Sequence, residues 1–433
     1  MAHLCFMDIA NFYRRFIQCG KKFTTDSRKA GEARIFFALK GANFDGNEYA
    51  AGALEAGCEL AVVDDEKVAT DERFVLVDDV LSFMQELATF HRRQLNIPVI
   101  AVAGSNGKTT TKELLGAVLE CAYRVHITQG NFNNLIGTPI TLLEMPLDTE
   151  CAVIEIGTNQ FGEIKRLCEI VEPTHGIITN IGKEHLEGFG DIEGVIREES
   201  ELYLYLQEHQ GRAYVNGDDS ILINMARRLQ RVKTYGLGPD GDVTGTIRQR
   251  FPGLEVEVND VVLKSNLSGD YNAENILAAA AIGLDIGLNI NQIARGVSNY
   301  TPSNNRSQYI ETERNHVIMD AYNANPTSMA KALESFRNID SSKKLLLLGD
   351  MLEMGDHAAA EHRDIADLAL AMPDAKCVFI GEDFHKLNSY LNLSSYPDVD
   401  AFLADYPLAD IKEHWILIKG SRGVRMEKIL DSL

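Results

Sequence analysis

The run Ala103-Gly104-Ser105-Asn106-Gly107-Lys108-Thr109-Thr110-Thr111 carries the most specific chemistry in this chain. Glycines let backbone N–H groups approach phosphate oxygens, and the start of a helix adds positive potential. Lys108 neutralises charge, and the Thr109 hydroxyl is placed to ligate magnesium. The run follows the apolar Ile97-Pro98-Val99-Ile100-Ala101-Val102 and leads into Lys112-Glu113-Leu114-Leu115, so a buried strand turns through glycines into a helix. Gly104, Ser105, Asn106, Gly107, Lys108, Thr109 and Thr110 are therefore expected to cradle ATP. The common spacing places a glycine where Val102 stands, which makes this loop a shortened variant.

Five further clusters are candidates for the same site. Glu155 closes the apolar strand Cys151-Ala152-Val153-Ile154, where magnesium beside phosphates needs an oxygen ligand. His185 lies in the glycine-rich Gly182-Lys183-Glu184-His185-Leu186-Glu187-Gly188, on the rim expected for the next strand, as a second metal or phosphate contact. Asn131-Phe132-Asn133-Asn134 gathers amides suited to a peptide or sugar, although ordinary turn formers would read the same way. Asp320, Asn323 and Asn325 fall on a strand-to-helix loop ahead of Pro326-Thr327. Lys419-Gly420-Ser421-Arg422 should open a last helix and face an anion such as a substrate carboxylate, with simple capping as the competing account.

These loops need scaffolds. Up to residue 96 the pattern predicts a small α/β unit, with strands Ile35 to Leu39 and Leu60 to Val63 around a helix Glu48 to Ala56. Residues 97–300 alternate strands (Ala152 to Ile156, Gly176 to Ile181, Ala213 to Asn216) with helices (Glu163 to Val171, Glu193 to Glu208), implying a mostly parallel sheet. Runs Val243 to Arg248, Leu254 to Val258 and Val261 to Asn266 read as an antiparallel insert before a helix Asn272 to Ile286. A linker over Thr301 to Asn305 then leads to residues 301–433, where Val317 to Met319, Leu345 to Leu348, Val378 to Ile380 and Ile416 to Ile418 repeat the rhythm of a Rossmann-like unit. The fold class is α/β in three domains.

Composition narrows the partners. A net charge of -21 disfavours a polyanion such as nucleic acid. Seven scattered cysteines (Cys5, Cys19, Cys58, Cys121, Cys151, Cys168, Cys377) without a Cys-x-x-Cys pair suggest neither a disulfide framework nor a zinc knuckle, and a reducing cytoplasm fits. No apolar run approaches a membrane span, and the chain is expected to be soluble.

The order of these motifs resembles the Mur ligase family, which joins amino acids to the nucleotide-linked peptide precursor of the bacterial cell wall. The resemblance covers nearly the whole chain. It rests on Gly104 to Thr110, Glu155, His185, Asn272 and Asn275 in Tyr-Asn-Ala-Glu-Asn-Ile-Leu-Ala-Ala, Arg306 and Asp320. Asn131-Phe132-Asn133-Asn134-x-Ile-Gly, Asp320-Ala-Tyr-Asn-Ala-Asn-Pro and Leu348-Gly349-Asp350-Met351-Leu352-Glu353-Met354-Gly355 are similar to the member that adds a dipeptide. The resemblance implies an ATP-dependent carboxylate–amine ligase acting through an acyl phosphate, with two magnesium ions. The implied substrates are a UDP-N-acetylmuramoyl-tripeptide and D-alanyl-D-alanine. A monomer is expected, and because the site residues come from separate domains a hinge closure should assemble the site. It gives Asn272, Asn275, Arg306, Asp320, Asn323 and Asn325 to the nucleotide. Ser27, Arg28 and Lys40 fall to the uridine diphosphate end, Asn133, Asn134 and Thr158 to substrate, and Lys419, Ser421 and Arg422 to the dipeptide.

One residue departs from the family pattern. Where a carbamylated lysine usually stands in Lys-x-Glu-Leu, this chain has Glu199-Ser200-Glu201-Leu202. The charge is kept, but the reach is on the order of 3 to 4 Å shorter. Glu199 is expected to serve the second magnesium directly or through water, alongside Thr109, Glu155 and His185; Lys108, Glu155, His185 and Glu199 form the catalytic set. Two alternatives stand beside this. A sister ligase such as folylpolyglutamate synthetase leaves the Asp26-Ser27-Arg28 module unexplained, and a non-enzymatic nucleotide switch would form no amide.

Overall fold

Short hydrophobic runs build three separate, mostly parallel sheets, each covered by helices. The computed structural model describes residues 8–303, 305–391 and 393–433. Cys5 and Asn304 of the expected linker lie outside the described residues.

The first sheet has four parallel strands in the order Phe23–Thr24, Ile35–Phe37, Leu60–Val63, Phe74–Leu76. The helix Val80–Arg92 carries this unit onto the second one. Arg92 donates to Leu95 O, Val171 O and Glu172 O, Lys21 Nζ donates to Met145 O at 2.6 Å, and a single apolar core runs from Phe12 to Ala226.

The central sheet has seven parallel strands in the order Val243–Thr244, Val232–Gly236, Arg212–Asn216, His175–Ile178, Val99–Ala103, Cys151–Glu155, Val125–Ile127. Val99–Ala103 and Cys151–Glu155 are buried at every position, as a sheet covered on both faces requires. Because Val102 pairs with Glu155 and Ala103 with Ile178, the phosphate loop, Glu155 and the loop after Ile178 leave the sheet side by side. Ligands collect at such carboxyl ends.

The expected run Val243 to Arg248 divides. Val243–Thr244 extends the central sheet in parallel, and only Thr246–Gln249 joins Glu255–Val258 and Val261–Lys264 in a three-stranded antiparallel sheet. Gly245 explains the division: a Cβ there would sit 2.5 Å from Leu277 and 2.9 Å from Val256, so only a bare backbone passes that close.

The third sheet runs Gln308–Glu311, His316–Asp320, Trp415–Lys419, Lys344–Gly349, Ala375–Ile380, Ser395–Tyr396, with the first strand antiparallel and the rest parallel. The helix Pro326–Arg337 starts at Asn325, whose side chain accepts from Ser328 N–H while Ser328 caps back. The last segment differs from expectation. After Lys419 the chain forms 3-10 turns, Arg422–Val424 and Met426–Ser432, because Ser421 Oγ accepts from Leu352 N–H and donates to Ala324 O instead of capping a helix, and Arg425 turns left-handed at φ 63. The described cysteines are free, and among the described residues no helix is long and apolar enough to cross a membrane.

Candidate functional site

The three carboxyl-end loops of the central sheet and two loops of the third unit enclose a cavity of about 320 Å³. The phosphate loop is held from below. Gly104 takes φ 109, and a Cβ there would lie 2.5 Å from Thr179 Oγ1; Gly107 takes φ 82 beside Asn275. Ser105 N–H donates to Asn180 O at 2.9 Å and Thr179 Oγ1 donates to Asn106 O at 2.7 Å. The loop is thus tied to the segment that follows the strand His175–Ile178, and Lys108–Leu119 begins directly under it.

Lys108 turns back into its own loop. Its Nζ donates to Gly104 O and to Ser105 O, and lies 3.5 Å from Glu184 Oε2. Burial works against its charge, yet Glu184, Glu199 and Glu155 outweigh that and hold its pKa above the ordinary 10.5.

Thr109 Oγ1 donates to Glu155 Oε1 at 3.2 Å, and Asn133 Nδ2 donates to the same oxygen at 2.8 Å. Glu155 Oε2 lies 3.9 Å from Lys112 Nζ, which itself donates to Thr128 O. Glu199, on the helix Ile192–Glu208, accepts Gly104 N–H at 2.9 Å through Oε2. Its burial raises the carboxyl pKa to about 8, with Glu184 adding to the rise and Lys108 opposing it.

Glu155 Oε2, Glu184 Oε1 and Glu199 Oε1 are buried with no hydrogen-bond partner. Unpartnered buried carboxylate oxygens are expensive, and a hard divalent cation is the group that oxygen ligands of this kind hold. The orphaned oxygens, with the Thr109 hydroxyl beside Glu155, are of the donor type that magnesium takes. His185 has φ 46 and borders the cavity.

The third unit closes the opposite wall. Arg306 stacks over the Tyr322 ring at 3.7 Å, and Arg422 lies over the same ring at 5.4 Å. Asp320 and Asn323 line the cavity with Asn272 and Asn275 of the central unit. Lys419 lines it too, but its Nζ is 2.6 Å from Asp320 Oδ2 and its side chain is 2% exposed, so its charge is already matched.

Other expected residues stand apart from the cavity lining. Asn325 caps its helix and donates through Nδ2 to Asn106 Oδ1 at 2.8 Å, joining the two units. Asn134 accepts Gly137 N–H at 2.8 Å as part of its turn. Thr158 donates to Gln160 O at 2.8 Å, and Ser421 is consumed by the turn described above. In the first unit, Ser27 opens a 3-10 helix, Arg28 pairs with Asp26 at 2.7 Å and Lys40 with Asp64 at 2.8 Å. Sequence reasoning passed over Glu184, Tyr271, Glu274, Tyr322 and Lys331, all of which line the cavity. Glu184, Tyr271, Glu274 and Tyr322 sat inside motifs already singled out; an acid beside His185 was the available signal.

The family model for the Mur ligase middle domain matches residues 102–283, that for the Mur ligase, glutamate ligase domain residues 305–422, and that for the Mur ligase family, catalytic domain residues 22–97. The chain is 36% identical over 426 residues to UDP-N-acetylmuramoyl-tripeptide--D-alanyl-D-alanine ligase of Bacillus subtilis, covering 94% of this chain and 92% of the relative. It is 32% identical to the ligase of the same name from Escherichia coli, covering 95% and 93%. Among solved structures, MurF from Acinetobacter baumannii aligns with a TM-score of 0.85 at 31% identity, covering 95% of this chain and 93% of that one. MurF ligase from Thermotoga maritima in complex with ADP shares the fold, with a TM-score of 0.84 at 24% identity over 95% and 96%.

Proposed function

The chain belongs to the Mur ligase family, and from that premise we propose that it joins D-alanyl-D-alanine to UDP-N-acetylmuramoyl-tripeptide in cytoplasmic peptidoglycan precursor synthesis. ATP is converted to ADP and phosphate in the process. The observation that carries the reading is one cavity bordered by the phosphate loop, by Glu155 with Thr109, and by Arg306, Asp320 and Tyr322 of the third unit.

A carboxylate is a poor electrophile. Transfer of the γ-phosphoryl group to the tripeptide carboxylate gives an acyl phosphate; the dipeptide amine then attacks the acyl carbon, phosphate leaves, and the amine loses a proton as the amide forms. The loop N–H groups hold the phosphates, and Lys108 exchanges the carbonyls of Gly104 and Ser105 for phosphate oxygens. Thr109, Glu155, Glu199 and His185 would hold magnesium as two ions, which would supply positive charge to the transferring phosphoryl group. Asn272, Asn275, Arg306, Asp320 and Asn323 surround the nucleotide. With Lys419 neutralised by Asp320, Arg422 meets the dipeptide carboxylate, since it has no acidic partner among the described residues.

Residues 1–96 take the uridine diphosphate end through Ser27, Arg28 and Lys40, residues 97–300 take ATP, and residues 301–433 take the rest of the nucleotide and the dipeptide. One chain supplies every group named, which fits action as a monomer. Phosphate release is to be measured with tripeptide nucleotides carrying lysine or diaminopimelate, each with and without D-Ala-D-Ala, and the product weighed by mass spectrometry. The expected result is dipeptide-dependent phosphate with an amide product. Nucleotide turnover with no amide would overturn the reading in favour of a switch.

A further inference from the structure

His185 makes one contact that the proposed chemistry leaves without a role. Its Nδ1 lies 2.7 Å from Glu353 Oε2, and the two residues belong to different units. The ring borders the nucleotide cavity, whereas the Glu353 side chain is 63% exposed and reaches in from outside.

The loop that carries Glu353 is built to aim it. It follows the strand Lys344–Gly349, and its backbone is anchored within the third unit: Met351 N–H donates to His362 Nε2 at 3.0 Å and Leu352 N–H to Ser421 Oγ at 3.0 Å. Asp350 accepts N–H groups of Asp383 and Phe384. Glu353 then takes φ 63, left-handed backbone that residues with a Cβ rarely adopt. Gly355, at φ 52, lies against Glu187 of the His185 loop, where an added Cβ would stand 3.6 Å from the Glu187 Cβ. Both partners of the contact are thus left-handed residues in loops packed on each other.

An imidazole has two nitrogens with opposite duties, and a group beside one decides what the other offers. We propose that Glu353 is a positioning residue: it holds the proton of neutral His185 on Nδ1, leaving the Nε2 lone pair for the cavity, and it does so only when the third unit is docked. His185 would then reach its working form only after the nucleotide wall has closed, which ties phosphoryl transfer to the assembled site and limits loss of ATP to water. The use made of His185 rests on the ligase reading; the placement of its proton does not.

The neighbouring pair Lys183–Glu361, at 2.6 Å, joins the same two units without touching His185 and supplies the control. Histidine-labelled protein, free of nucleotide and metal, is to be examined by nitrogen-15 NMR at a pH of about 8.5, about two units above the value of a free imidazole. In the unaltered protein His185 is expected to carry its proton on Nδ1. In Glu353→Ala the Nε2-protonated form should dominate, and kcat should fall about tenfold or more with KM for ATP changed less than about twofold, the range of such supporting carboxylates. Glu361→Ala should keep the Nδ1 form. The proposal is overturned if Glu353→Ala retains the Nδ1 form, or if Glu361→Ala reproduces both the tautomer change and the loss of kcat, since docking alone would then be responsible. Absence of dipeptide-dependent amide formation in the unaltered protein would remove the ligase reading and leave the tautomer result standing.

Discussion

Replacing His91 tests how the first unit is seated on the second. The ring is fully buried, with Nε2 at 2.7 Å from Met145 O and Nδ1 at 2.8 Å from the Tyr13 hydroxyl. A neutral ring satisfies both, donating to the carbonyl and accepting from the phenol. Burial, reinforced by the nearby Lys21 charge, lowers its pKa from 6.5 to about 4. The folded chain therefore binds this proton less readily than the unfolded one, so the stabilisation is complete above pH 6.5 and is lost as pH falls toward 4. The whole displacement corresponds to about 3 kcal/mol, of which about 2 kcal/mol disappears between pH 7 and pH 5. Urea unfolding is to be followed at both pH values for the natural protein and for His91→Gln. The variant should be less stable at pH 7, because it loses ring packing, yet its fall on going to pH 5 should be smaller by about 2 kcal/mol. His175, which burial also lowers to about 4, is present in both proteins and cancels. An equally steep fall in the two proteins would refute the reasoning.

Three further outcomes are expected. Gly104→Ala forces a Cβ to 2.5 Å from Thr179 Oγ1 at φ 109, and strain of about 1–3 kcal/mol should weaken nucleotide binding at least tenfold by calorimetric titration; unchanged affinity counts against the loop assignment. Asp320→Asn leaves the Lys419 ammonium buried without a counterion and should lower stability by about 3–5 kcal/mol in urea, with Lys419→Met in the same chain restoring much of it. Glu155→Gln keeps the shape but removes the carboxylate facing Thr109, and should lower dipeptide-dependent phosphate release on the order of 100-fold; wild-type turnover and magnesium dependence would exclude the metal role.

Much of the architecture was legible because its signals are local. The helices Glu163–Val171 and Asn272–Ile286 fall where periodicity places them, with Gly162 and Gly287 in left-handed backbone at their ends. The strand Val99–Ala103, the glycine turn and the helix Lys108–Leu119 follow from one continuous stretch of chain. The run from Val243 departs from its local pattern for the opposite reason: its division at Gly245 is set by the close approach of Leu277 and Val256, which the local pattern does not carry.

By itself the chain order determined that a phosphate loop exists, that Glu155 ends its strand and that three parallel-sheet units follow one another, since each depends on neighbouring residues choosing a backbone conformation. Only the tertiary structure decided that Lys419 is committed to Asp320, that Glu199 accepts the Gly104 N–H while Glu184 faces Lys108, and that Glu353 reaches His185. Those are choices between partners separated by long stretches of chain, and they are settled by which faces the packing brings together and how much water it removes from the charges there.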